Sequence, residues 1–178
     1  MGHPHPPVTR GLKHAVSNLK EAGVKVVDLE PYEHKRGMEI LKALYFPDAA
    51  QCQKDLLTKG GEPVAPLTQW AFSIARPEPI SVTDNRELND QQEEYREQGS
   101  YHRVMKDRCV DFILCPAYIG VAAELATAQY WPYTAIWNIL DQPAVAFPTG
   151  LKVDAKLDVV EADYKPRSAE DEREYKKC

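Results

Sequence analysis

Apolar residues recur at helical spacing through Val8, Leu12, Ala15, Val16, Leu19 and Ala22, a period that predicts an amphipathic helix. Pro6-Pro7 opens it, Thr9 is placed to cap it and Gly23 stops it. The β-branched run 24–29 then predicts a short strand, ended by Pro31. Met38, Leu41, Leu44 and Tyr45 predict a second helix that Pro47 breaks. A third helical segment runs from about 48 to 59 and closes at Gly60-Gly61-Glu62-Pro63. Residues 64–80 read as a loop with an apolar patch at Trp70, Phe72 and Ile74. The polar stretch 83–108 predicts one long helix, with Ser81, Thr83 or Asp84 as its cap. Its sparse apolar positions, Leu88, Tyr95 and Met105, leave one narrow side to bury.

In the second half, Asp111–Cys115 predicts a buried strand ended by Pro116. Residues 133–140 predict a short helix with Ile136, Ile139 and Leu140 on one side. Ala144–Phe147 predicts another buried strand, ended by Pro148 and Gly150. Helix–Gly–strand followed by strand–loop–helix–strand is the pattern of α/β units. It predicts a sheet with more parallel than antiparallel pairing. From Lys152 to Lys177 the pattern dissolves, because fifteen of 26 residues are charged. Residues 1–150 therefore read as a segment of one domain, and 151–178 as a charged hairpin and poorly ordered tail.

Composition narrows the function classes. With 178 residues, the chain has the size of about one domain. Its 43% hydrophobic and 28% charged residues are globular proportions. A net charge of -5 argues against a nucleic-acid partner. No apolar run is long enough for a membrane span, and the N-terminus has no apolar signal core. Cys52, Cys109, Cys115 and Cys178 form no Cys-x-x-Cys pair, which argues against structural zinc. Without a secretory signal they read as reduced thiols of a cytoplasmic protein. His3, His5 and His14 have no carboxylate or cysteine at ligand spacing, so neither metal nor cofactor is expected.

Residues 111–150 carry a more specific pattern: Asp111–Pro116, then Tyr133–Trp137, Asn138–Ala144 and Val145–Gly150. Together with His5-Pro6-Pro7-Val8-Thr9-Arg10-Gly11-Leu12, Gly23–Pro31, Gly60–Pro63 and Tyr164–Arg167, the chain resembles the amidase signature family. The likeness is to its acetamidase and fatty-acid-amide-hydrolase branch, and it spans nearly the whole chain. It implies a mixed β-sheet flanked by helices, here as a partial domain. It also implies hydrolysis of carboxylic amides, with a small-molecule amide as the complete enzyme's substrate. In that family a serine attacks the carbonyl, a second serine relays its proton to a lysine, and backbone amides hold the oxyanion. The five serines, Ser17, Ser73, Ser81, Ser100 and Ser168, include no adjacent pair and none in a glycine-rich run. No catalytic residue is therefore carried over, and the chain alone is expected to be inactive.

The substrate-pocket candidates are Cys115, Tyr118, Tyr133 and Trp137. Cys115 ends a predicted strand and reads either as a buried apolar residue or as a nucleophile that His102 could approach. The aromatic group Tyr118, Tyr130, Trp131, Tyr133 and Trp137 reads as pocket wall or as packing. Asn138 and Asp141 read as turn residues. The alternative function is a non-catalytic binding module, with a partner covering the exposed sheet edges.

Overall fold

Tyr95 and Gly37 meet where two helices cross, and the main core is built round that contact. The computed structural model describes residues 1–98 and 101–177, which carry eight helices. They are α1 (Pro6–Glu21), α2 (His34–Tyr45), α3 (Gln51–Gly60), α4 (Pro66–Ser73), α5 (Val82–Gln98), α6 (Tyr101–Arg108), α7 (Pro132–Ile139) and α8 (Ala169–Tyr175). Helix α2 packs against both α5 and α7. Ile40 and Leu41 of α2, Tyr95 of α5 and Ala135, Ile136 and Ile139 of α7 form the core, with Leu140 beside them.

The local chemistry explains the helix ends. Pro6 and Pro7 fill the first turn of α1, where a missing N–H leaves no intrahelical bond unmade. Gly23, at φ +83°, ends it in the left-handed region. Thr9 lies inside α1, and its hydroxyl donates to the Pro4 carbonyl oxygen at 3.2 Å. Ser81 accepts the Asp84 N–H at 3.0 Å and so caps α5. Arg96 of α5 donates from Nε to the Ile139 carbonyl oxygen at 2.8 Å, satisfying the end of α7. Asp141, at φ +52°, makes the turn beyond it.

The expected α/β architecture, a mixed β-sheet flanked by helices, is not what the structure shows. Among the described residues there is no strand and no sheet. No backbone hydrogen bond joins 24–29, 111–115 and 144–147 to one another. A strand exists only where a neighbouring main chain completes its ladder, and apolar β-branched composition cannot supply that neighbour. Nor is 144–147 buried: Val145 is 89% exposed and Phe147 57%. The expected partner on sheet edges has no edge to cover among the described residues. Exposed apolar side chains instead include Val145, Phe147, Val153, Leu157 and Val159.

Two helices lie where none was expected. Pro66 starts α4, and aromatic edges hold it: Trp70 meets Trp131 at 4.7 Å and Phe72 meets Phe46 at 5.8 Å between ring centroids. Within 151–178, Ser168 caps α8 by accepting the Asp171 N–H at 3.1 Å. Asp171 and Glu174 of that helix are buried. Further upstream, Arg10 of α1 forks onto Asp158 at 2.7 and 2.8 Å and also reaches the Lys152 carbonyl oxygen. The Arg10 hydrogen bonds hold the Asp158 carboxyl down to about 2.

A side chain at Gly37 has nowhere to go. Its Cβ would lie 2.6–2.8 Å from three atoms of the Tyr95 ring, whose hydroxyl is fixed on the Tyr32 carbonyl oxygen at 3.2 Å. Ala normally gains about 1 kcal/mol over Gly in a helix, but overpacking costs about 1–3 kcal/mol. So close a clash puts the cost at the upper end of that range, and Gly37→Ala is expected to destabilise by roughly 2 kcal/mol in urea unfolding. A neutral or stabilised variant would show that the α2–α5 crossing is looser than described.

Candidate functional site

Between α1 and α7 lies a groove of about 400 Å³. Leu12, Val16 and Leu19, on one period-3.6 face of α1, form one wall. Residues 24–29 and 109–115 run along the sides, and Tyr133 and Trp137 of α7 close it. Both α7 aromatics thus face the groove, while Ile136 and Ile139 face the core.

Three of the four candidates converge there: Cys115, Tyr133 and Trp137. Tyr118 does not join them. It packs on Ile119, Tyr130 and Tyr133, and its hydroxyl donates to Glu174 Oε2 at 3.2 Å. The rest of the aromatic group divides as well. Trp131 stacks edge-on with Trp70 and lies near Tyr45, while Tyr130 accepts the Gly2 N–H through its hydroxyl oxygen at 2.6 Å.

The electrostatics of the groove work against a nucleophile. Burial pushes the Cys115 thiol up, with the Trp137 side chain opposing more weakly. A thiol raised in this way is less thiolate at neutral pH, hence less reactive. Burial, and behind it the positive N-terminus, brings His34 down to about 4. His34 is thus neutral at pH 7. Burial also drives the Tyr133 phenol well above its ordinary range, and its hydroxyl donates to the Gly2 carbonyl oxygen at 2.7 Å. Among the described residues no serine lines the groove. The side chain of His102, the suggested partner of Cys115, lies outside the described residues, as do Ser100 and Cys178. Among the described residues no cluster of His, Cys, Asp or Glu is arranged to hold a metal ion, and no helix is long and apolar enough to cross a membrane.

Sequence reasoning missed a second site, at α8. Asp171 accepts the His3 N–H at 3.0 Å, the Arg167 N–H at 2.8 Å and the Tyr164 hydroxyl. Burial alone would raise this carboxyl, but these donors outweigh it and leave it below its ordinary value. The signal was present in Ser168-Ala-Glu-Asp171, the spacing of a helix-capping box.

Set beside known proteins, the geometry has clear counterparts. The amidase family model matches residues 1–167. The chain belongs to the amidase family. It is 36% identical over 174 residues to the Schizosaccharomyces pombe protein named "Putative amidase C550.07", covering 97% of this chain and 32% of that one. With the acetamidase of Aspergillus oryzae it shares 27% over 178 residues, again 97% of this chain and 32% of the relative. A solved fatty acid amide hydrolase superposes with a TM-score of 0.91 at 34% identity, covering 98% of this chain and 31% of that structure. The chain thus spans about a third of the length of the relatives it matches.

The thiol environments make a direct test. At neutral pH, iodoacetamide is expected to modify the exposed Cys52 and Cys109 about tenfold or more faster than Cys115, read by peptide mass spectrometry. Equal rates would contradict the half-buried thiol described here.

Proposed function

We propose that this chain is part of a hydrolase acting on the C–N bond of carboxylic amides, and that it supplies apolar substrate wall rather than the reacting groups. The observation that carries the reading is the family match over residues 1–167. A small-molecule amide is the substrate class. The groove edge formed by Cys115, Tyr133 and Trp137 supports it, being apolar with few polar handles.

The chain by itself does not turn over an amide. Acyl transfer to a serine needs an activated hydroxyl, a base within hydrogen-bond reach and donors for the oxyanion. Among the described residues the groove offers a raised thiol and a neutral His34 but no serine. A cytoplasmic setting goes with this reading, because exposed free thiols such as Cys52 and Cys109 persist in a reducing compartment.

The test uses the purified chain and a medium-chain primary carboxamide. Tryptophan fluorescence is expected to saturate with ligand, to lose most of that response in Trp137→Phe, and to be accompanied by no ammonia release. Absence of any saturable response sinks the groove as substrate wall. Turnover abolished by a fluorophosphonate would reveal a serine nucleophile in the chain and overturn the non-catalytic assignment.

A further inference from the structure

Among the described residues, His5 is the one imidazole nearly sealed from solvent, at 3% exposed. Its amide donates to the Ile119 carbonyl oxygen at 2.8 Å. Its Nε2 lies 2.9 Å from the Glu174 carbonyl oxygen. A carbonyl only accepts, so Nε2 carries the ring proton. Nδ1 is buried and has no hydrogen-bond partner among the described residues. It faces Gly120, where even a Cβ would come within 2.9 Å of it. A second proton on this ring would be a buried N–H with no acceptor, on a newly charged group.

We propose that residues 2–5 form a latch over α8 that opens when His5 takes a second proton. The closed state is held at both ends. Gly2 donates to the Tyr130 hydroxyl oxygen and accepts from the Tyr133 hydroxyl. The His3 N–H rests on Asp171. Gly2 also has to be glycine, because a Cβ there would lie 2.5 Å from an Asp171 oxygen. His5 is the titratable side chain of the latch that lies in a sealed site.

Charged and titratable groups reach His5 from each element packed on it. From α8, the Glu174 carboxylate would favour the imidazolium. Its two oxygens, however, already take the Lys177 ammonium at 2.9 and 3.0 Å, the Arg173 Nε at 3.1 Å and the Tyr118 hydroxyl. Lys177 and His3 oppose a positive ring, and Tyr175 of α8 meets it edge to face at 5.8 Å. Burial is the largest influence and leaves His5 below its ordinary value, against the pull of the Glu174 carbonyl and charge. The sign follows. A histidine held below its unfolded value of 6.5 contributes latch stability in full above 6.5, and that stability is lost as pH falls towards the folded value. Met1 and Tyr133 both line the groove, so release of residues 2–5 would uncover its Tyr133 end. The latch itself does not depend on what the groove binds.

Amide hydrogen exchange on the whole chain, corrected for intrinsic rates, tests it. Between about pH 7.5 and about pH 5, protection of the His3 and His5 amides is expected to fall about tenfold or more, while α2 and α7 keep theirs. In His5→Gln, whose side-chain amide can still donate to the Glu174 carbonyl but cannot charge, protection should stay level; His3→Gln should behave as wild type. If His5→Gln does not fold, imidazole ¹⁵N shifts of the wild type decide. The loss of protection must follow the His5 titration, with the proton on Nε2 in the closed state. Protection that survives to about pH 5, that falls together with the core, or that falls equally in His5→Gln overturns the proposal.

Discussion

Asp171 has no exposed surface, yet it sits in a part of the chain where most residues are charged. An isolated carboxylate in that position would be strongly unfavourable. Here its two oxygens collect donors from three places: the His3 amide, the Arg167 amide and the Tyr164 hydroxyl. The first of these lies 168 positions away in sequence. The interaction therefore draws the two ends of the chain together. Around it Tyr164 stacks on Tyr175 at 3.8 Å, and Tyr130 and Tyr133 hold Gly2 from the other side. Removing one partner from such a site exposes the others to the full cost of a buried, unpaired polar group.

The rest of the structure hangs from this tie and from the α2–α5–α7 core. Helix α7 belongs to both: Ile136 and Ile139 enter the core, and the Tyr133 hydroxyl reaches the N-terminal segment. Its remaining face closes the groove. One short helix thus couples packing, the end-to-end tie and the surface that a ligand would meet. The same coupling explains why the candidate residues separate. Tyr118 reaches Glu174, Tyr130 holds Gly2, Trp131 serves α4, and of this aromatic group Tyr133 and Trp137 line the groove with Cys115.

Helices with a clean apolar period and proline or glycine punctuation were legible from sequence, as α1, α2 and α7 show. The break at Pro47, the stop at Gly23 and the cap at Ser81 follow from backbone chemistry that acts within a few residues. The runs 24–29, 111–115 and 144–147 were misread because strand formation depends on a neighbouring main chain, which composition cannot reveal. Helix α4 escaped because it is held by distant aromatic edges rather than by its own periodicity. The buried pair on α8 escaped because acidic residues in a charged stretch read as solvated, although Ser168 and Asp171 stand at capping distance. The family was legible from ordered motifs, and the missing adjacent serines were equally plain. Which pocket candidates share a wall required the fold.

Asp171 ties residues 2–5 and α8 into one folded unit. The most direct test of that tie is urea unfolding of Asp171→Ala, with hydrogen exchange on α8 and on residues 2–5. The expected result is a loss of about 2–4 kcal/mol, with protection lost first in those two segments. Stability within about 0.5 kcal/mol of wild type, with α8 and residues 2–5 still protected, would contradict it.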